Sequence, residues 1–396
     1  MRRVGILVQL PLALMVFYLD MLAVAAMRWR PRARSVLPHA RFAILIPAHN
    51  EELLLPRLLE SITRLEYPRE RYDVHVVADN CTDGTAAIAG SGGAIVHVRT
   101  DTQDRGKGYA LRWLLGDIAA QGLRYDAYVI IDADSVVSEN LLAVFNAYLD
   151  SGEQAMQCYY GVLNYQESWP SALRYAALAL FNGLRPRGRE ALGLSAGLRG
   201  NGMCFAAPVI ERFGWDAFTL AEDAEFHLVL VGAGVRVAYA GEATVLADMP
   251  TSLRTSQSQN VRWERGRLQL LRTYGLPLLL DAVRRRDRVR LDAVAEGLVP
   301  PLAVLMGLGG LSFALTAVLR LRAAWRLSAL VLLGQVGYTF VGLRLAGAKA
   351  RAYLALLMAP IYISWKLWIY LIAALGLRGK STWVRTARRP APPSEK

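Results

Sequence analysis

Four stretches of this chain, residues 4–27, 293–319, 324–346 and 352–376, are predominantly apolar. Each is long enough to span a bilayer, which takes about 20 residues. They sit at the two ends, so only the middle is left to fold as a water-soluble unit. A composition of 54% hydrophobic and 20% charged residues has that meaning here because the apolar residues are so unevenly spread. A signal peptide would have a shorter apolar core and a small-residue cleavage site, whereas the first run meets the arginine cluster RWRPRAR. Asp20 within that run is tolerable where it faces a neighbouring helix.

The net charge of +13 is concentrated beside these runs: Arg28, Arg30, Arg32 and Arg34; Arg284, Arg285, Arg286, Arg288 and Arg290; Arg385, Arg388 and Arg389. Arginine next to a span favours the cytoplasmic side and anionic headgroups. Neither zinc-finger spacing nor an RNA-binding aromatic signature accompanies the charge, so it is read as a membrane feature and no nucleic-acid partner is expected. The three cysteines, Cys81, Cys158 and Cys204, form no CxxC pair and are read as reduced thiols.

Between the apolar ends the rhythm is strand, helix, strand. Short β-rich runs at 42–46, 74–78, 95–98 and 128–131 alternate with helical stretches such as 51–65 and 109–120. An α/β fold with a mostly parallel sheet follows. Its ligands belong in the loops after the strands. Residues 252–283 mix arginines with Leu268, Leu271, Tyr274 and Leu278 at helical spacing, a pattern suited to the membrane surface. The boundaries so read are an anchor and basic linker over 1–40, a catalytic domain over 41–250 and interfacial helices over 251–292. A membrane region of about three helices over 293–377 and a basic tail over 378–396 complete the chain. With the middle domain cytosolic and all four runs spanning, the basic tail would end outside. This marks one C-terminal segment, around Pro300-Pro301, as re-entrant or interfacial.

Six motifs punctuate the middle, each with two readings. Pro47-Ala48-His49-Asn50-Glu51 suits contact with a planar base, or a helix start capped by Asn50. In Asp79-Asn80-Cys81-Thr82-Asp83-Gly84-Thr85, Asp79 can accept from a uracil imide or ribose, or the segment is an Asx turn closed by Gly84. Arg105-Gly106-Lys107-Gly108 lets backbone and cation approach a phosphate at a helix start, or is a solvated turn. Asp132-Ala133-Asp134-Ser135 follows an apolar strand and places two carboxylates within reach of one hard cation, Mg²⁺ or Mn²⁺. Glu222-Asp223-Ala224-Glu225 offers a general base in Asp223, with Glu225 in reserve, or acids that complement a helix dipole. Gln259-Asn260-Val261-Arg262-Trp263 offers a guanidinium for a diphosphate and a ring for a sugar, or an interfacial tryptophan.

In this order, with Gly200-Asn201-Gly202-Met203-Cys204-Phe205 between the fourth and fifth, the motifs resemble a family. It is that of the membrane-bound inverting family 2 glycosyltransferases, which includes cellulose, chitin, hyaluronan and exopolysaccharide synthases. The likeness covers about residues 40–270 and implies a GT-A (Rossmann-like) catalytic domain. It implies that Pro47, Ala48, Glu51 and Asp79 line a uridine pocket, that Lys107 lies near the diphosphate, and that Asp132 and Asp134 form the DxD pair with Asp134 the closer metal ligand. Asp223 matches the general base of the TED motif, with Ala221 where Thr is usual. Gln259, Arg262 and Trp263 match QxxRW, with Trp263 under the acceptor and Arg262 on the diphosphate. Asn80 stands where many members have a second Asp.

The implied activity is transfer from a UDP-sugar to a growing polysaccharide with formation of a β-glycoside. Single transfer to a ceramide, diacylglycerol or polyprenyl-linked acceptor is the alternative. A non-catalytic scaffold would lose the base or the metal pair, and this sequence keeps both. The expected location is the cell inner membrane, among lipids. So few helices would need an export partner or a second copy to form a channel.

Overall fold

The structure, a computed structural model, describes residues 2–32 and 36–375; Arg34 and the tail arginines Arg385, Arg388 and Arg389 lie outside the described residues. Two compact units divide the chain. One consists of Pro31–Asn164 and Ser195–Met249; the other holds the N-terminal segment to Arg30, Tyr165–Leu194 and the described residues from Pro250 to Leu375.

The first unit is the expected α/β fold. Its strands are β1 (Phe42–Ala48), β2 (Tyr72–Asp79), β3 (Ile95–Arg99), β4 (Ala127–Ile130), β5 (Ser135–Val137), β6 (Ala155–Val162), β7 (Met203–Ala206) and β8 (Val237–Ala247), in the order β3-β2-β1-β4-β7-β6-β8-β5. The four strands read from the sequence are the parallel half: Phe42 registers with Tyr72 on one side and Ala127 on the other. Covered on both faces, β1 runs as uninterrupted apolar sequence. The other half is mixed: β7 is antiparallel to β4 and β6, and β8 is parallel to β6 and antiparallel to β5.

Phe42, Ile44 and Ile46 pack in one core with Leu55, Leu58, Ile62 and Phe145. Leu55 and Leu58 are fully buried, which contributes roughly 2 kcal/mol each. They seat the helix Leu55–Thr63, and with it Arg57. Asn50 does not cap this helix, which starts five residues later. It adopts a left-handed backbone, φ 56°, and its Oδ1 accepts from the Thr82 N–H at 2.7 Å. Asparagine is among the few residues that tolerate that conformation.

Among the described residues of the second unit, three helices are long and apolar enough to cross a membrane: Gln9–Ala26, Arg322–Leu345 and Ala350–Leu375. The fourth apolar run is a bent pair, Arg288–Leu298 and Leu302–Val318, meeting at 66°. The break falls at Pro300-Pro301, where proline lacks the N–H a continuous helix needs. Asp20 faces Gly334 of the Arg322–Leu345 helix. Gln257–Arg285, which carries the last motif, is one helix of 29 residues, ended by a left-handed Arg286.

Residues 165–194 depart from the sequence-based boundaries: they interrupt the stretch 41–250 and pack in the helical unit. The reason is a buried ion network. Arg189 pairs with Asp292 at 3.0 Å and Glu296 at 2.7 Å, and Arg185 reaches Glu296 at 3.5 Å and the Tyr338 hydroxyl at 3.1 Å. Tyr18 accepts from Arg189 at 2.7 Å and donates to Asp292 at 2.8 Å.

Candidate active site

The carboxyl ends of β1, β2, β3 and β4 share one edge of the sheet, and four of the motifs lie there. After β2, Asp79 is buried and its Oδ1 accepts from Arg99, the last residue of β3, at 2.6 Å. The Asn80 side-chain amide also donates to Oδ1, at 3.1 Å, and Asn80 Oδ1 accepts from the Asp101 N–H at 2.9 Å. Asn80, like Asn50, is left-handed, φ 51°. So Asp79 is preset by a cation that the motif did not contain. Asp83 closes the turn before the following helix, accepting from Thr85 N–H at 3.0 Å and Oγ1 at 2.5 Å, and Thr85 Oγ1 accepts from the Glu51 N–H at 2.8 Å. This turn ties the first two motifs together, with Pro47 and Glu51 half-buried and Ala48 buried on the β1 side.

Lys107 opens the helix Lys107–Ala120 after Gly106, whose φ of +126° few other residues would adopt. Gly108 serves packing: a side chain there would run into the Ala217 carbonyl. The Lys107 ammonium pairs with Asp132 at 2.5 Å and also donates to the Gly200 carbonyl. Asp134 is buried, its backbone carbonyl accepts from Arg57 at 3.3 Å, and Arg57 pairs with Asp248 at 2.8 Å.

Asn201 holds the acidic pair from behind. Fully buried, it accepts the Asp132 N–H at 3.1 Å and donates to Ser135 Oγ at 2.8 Å, which in turn donates to Asp134 Oδ1 at 3.3 Å. Buried Gln157 clamps the same turn, donating to the Asn201 carbonyl at 2.7 Å and accepting the Arg199 N–H at 2.8 Å. The sequence had pointed to the Gly200–Phe205 segment without a role for Asn201; its signal is an amide between two glycines, both at positive φ. Gly200 also lets Asp223 come close, since a Cβ there would lie 3.3 Å from Asp223 Oδ2.

Asp223 and Glu222 open the helix Glu222–Gly232. Burial first and the Asp223 charge second, with Lys107 working against both, push Glu222 up to about 7. Asp223 is raised too, first by burial, against the Ala224 N–H, Lys107 and Arg199. Burial acts against the Lys107 charge, yet Asp132, Glu222 and Asp223 outweigh it and keep the lysine protonated. Glu225, the reserve base, is occupied otherwise: its Oε2 accepts the N–H groups of Phe218 and Thr219, both at 3.0 Å.

Gln259, Arg262 and Trp263 belong to the helical unit. Gln259 Oε1 accepts from Arg174 at 3.1 Å, Arg262 has a buried Nε without a hydrogen-bond partner, and Trp263 is exposed.

The sheet order, with acids and a lysine gathered at the strand ends, defines a GT-A α/β fold. The chain belongs to the glycosyltransferase like family 2, whose family model matches residues 38–266. The probable glycosyltransferase YdaM of Bacillus subtilis (strain 168) is 27% identical over 248 residues, covering 60% of this chain and 57% of that protein. The beta-monoglucosyldiacylglycerol synthase of Nostoc sp. (strain PCC 7120 / SAG 25.82 / UTEX 2576) is 30% identical over 188 residues, 46% of this chain and 39% of that one. The chain thus spans about half or less of the length of these curated relatives. Among solved structures, the mannosyltransferase PcManGT from Pyrobaculum calidifontis, in complex with GDP-Man and Mn2+, matches 92% of this chain and 98% of its own, with a TM-score of 0.50 and 19% identity. That likeness is one of fold.

Proposed function

We propose that this chain is a membrane-bound, inverting glycosyltransferase that takes a sugar from a UDP-sugar and forms a β-glycoside, with the α/β unit on the cytosolic side of the cell inner membrane. The observation that carries the reading is the junction of Lys107, Asp132 and Gly200 with Asp223 alongside, at the carboxyl edge of the sheet. Asp79, preset by Arg99, accepts from the uracil or ribose, and Pro47, Ala48 and Glu51 line the base. Lys107 neutralises the diphosphate as the bond to the anomeric carbon breaks, a charge stabilisation of the kind that dominates such sites. Asp223 takes the proton of the acceptor hydroxyl as its oxygen attacks from the opposite side. Arg262 adds charge to the diphosphate, while Gln259 and Trp263 receive the acceptor.

The residues suit a divalent cation. Asp132 and Asp134 are hard oxygen donors at one strand end, and among the described residues no group of three or more His, Cys, Asp or Glu side chains forms a metal cage. Mg²⁺ and Mn²⁺ are commonly bound by few carboxylates, with water and phosphate as the remaining ligands. Bound there by Asp132 and Asp134, the ion would supply further charge neutralisation of the leaving diphosphate.

Two acceptor readings have separate support. A lipid acceptor is favoured by the diacylglycerol-glucosylating relatives and by the three to four membrane-length helical segments among the described residues. A growing polysaccharide is favoured by Gln259, Arg262 and Trp263. The test is incubation of the purified chain with a panel of UDP- and GDP-sugars, each with diacylglycerol, ceramide, polyprenyl phosphate or oligosaccharide acceptors. A β-linked product from an α-linked UDP-sugar is expected; an α-linked product would overturn inversion, and transfer only from GDP-sugars would overturn the uridine assignment.

A further inference from the structure

The helix that carries Gln259, Arg262 and Trp263 is gripped by a charge from an apolar, membrane-length segment. Lys366 lies in Ala350–Leu375 and is 6% exposed. Its ammonium donates to Asn260 Oδ1 at 2.7 Å and pairs with Glu264 at 2.9 Å. Both partners are on Gln257–Arg285, four residues apart and hence on one face of it, and both are buried, at 2% and 4%. Between them Val261 packs on Ile369 and Ile372 of the same segment, with Trp365 alongside. Trp263, on another face, is 36% exposed.

A buried lysine in apolar surroundings is costly unless paired, and a well-packed apolar pair would hold two helices together at least as well. What an apolar pair would not do is fix rotation. An ammonium that must satisfy one amide oxygen and one carboxylate, one turn apart, permits a single angular setting of the helix. Arg267 completes the setting: it lies 3.4 Å from Glu264 and donates to the Gly297 and Val299 carbonyls at 3.0 and 3.2 Å.

We infer that Lys366 is a positioning residue for acceptor recognition: through Asn260 and Glu264 it sets the rotation of the helix and so the direction in which Gln259, Arg262 and Trp263 face. The inference rests on the acceptor role proposed for Trp263. It couples that role to a helix long and apolar enough to cross the membrane.

The test uses the full chain in lipid nanodiscs. Lys366→Gln alone takes from the buried Glu264 its nearer cation and destabilises the fold, so the informative variants are Asn260→Ala, which strands no charge, and the pair Lys366→Gln with Glu264→Gln. Both should raise the acceptor KM about tenfold and, because Arg262 turns with the same helix, weaken UDP-sugar binding by a smaller factor. Lys366→Arg, which keeps the charge, should recover much of the loss. Hydroxyl-radical footprinting of Trp263 reads the helix setting without turnover and should change in both informative variants. An unchanged footprint with a normal acceptor KM would overturn the inference and leave the proposed function intact. A footprint that changes in the variants while the wild-type protein transfers no sugar would overturn the proposed function and leave standing only that Lys366 sets the helix.

Discussion

In the helical unit, Arg185 and Arg189 meet Asp292 and Glu296, two cations against two acids, closed by the hydroxyls of Tyr18 and Tyr338. At the edge of the sheet the count differs: Lys107 and Arg199 act on Asp132, Glu222 and Asp223, and Asp134 lies two residues along the chain from Asp132. Matched charges, each supplied with hydrogen bonds, make a fold specific, and removing one leaves its partners stranded. An excess of acid is costly in the fold alone. It is what a site awaiting a divalent cation and a proton-bearing hydroxyl requires, and unequal environments for neighbouring acids are how such sites divide the roles of acid and base.

The contrast breaks first at Asp223. Replacing it with Asn removes one acid from the unbalanced cluster, so thermal unfolding should stay level or rise. Sugar transfer should fall by about 10²–10⁴, the usual contribution of a general base, while UDP-sugar binding persists. Transfer near the wild-type rate would move the base elsewhere; loss of donor binding would make Asp223 a donor-site residue. The opposite test is Arg189→Met in the balanced network, which leaves Asp292 and Glu296 without their main cation. Unfolding in detergent should show a loss of about 3–5 kcal/mol, and the added change Asp292→Leu should recover part of it. A single variant as stable as wild type would mean that the network is dispensable and the comparison empty.

A middle case sharpens the boundary between the two kinds of residue. Asn201 carries no charge, yet it holds the Asp132 backbone by its N–H and reaches the Asp134 carboxylate through Ser135. Asn201→Ala should cost about 1–3 kcal/mol for the buried groups left unbonded. It should also raise the Mn²⁺ concentration needed for half-maximal UDP-sugar binding. Stability lost with the metal requirement unchanged would make Asn201 a fold residue only.

The legible parts of this molecule were those written locally. Short apolar strands ended by Pro47, Asp79 and Asp132 announced both the parallel half of the sheet and the edge where four of the motifs gather. Pro300-Pro301 announced the 66° bend because proline acts on its own backbone. Illegible were the partners that arrive from far along the chain. Arg99 reads as the last residue of an ordinary strand, yet it presets Asp79, 20 residues earlier. Nothing in the local sequence singles out Lys366, yet it anchors Asn260, 106 residues away. The strands β6, β7 and β8 and the helices of 165–194 went unread for the same cause. Their neighbours are fixed by long-range pairing and by the Arg189 network, not by local pattern.

The smallest expected effect isolates the acid excess itself, through Glu222 and pH. An ordinary glutamate titrates near 4.3, and in the fold Glu222 is pushed up to about 7 by burial and the Asp223 charge. At pH 4 and below it is largely protonated in both folded and unfolded chains, and its titration contributes nothing to the pH dependence. Between about pH 4.5 and 7 the unfolded chain has released the proton and the folded chain still holds it, so folding takes up a proton and stability falls as pH rises. Above pH 7 the carboxylate is ionised in both states and the full cost is present. Glu222→Gln has no such titration. Its unfolding temperature relative to wild type should therefore rise across that window and level off above it. Mn²⁺ with UDP should shrink the difference, because a cation among the acids offsets the charge that the glutamine removed. Stability curves of constant separation from pH 4 to 8 would mean that Glu222 titrates normally, and the imbalance at the sheet edge would then rest on Asp132 and Asp223 alone.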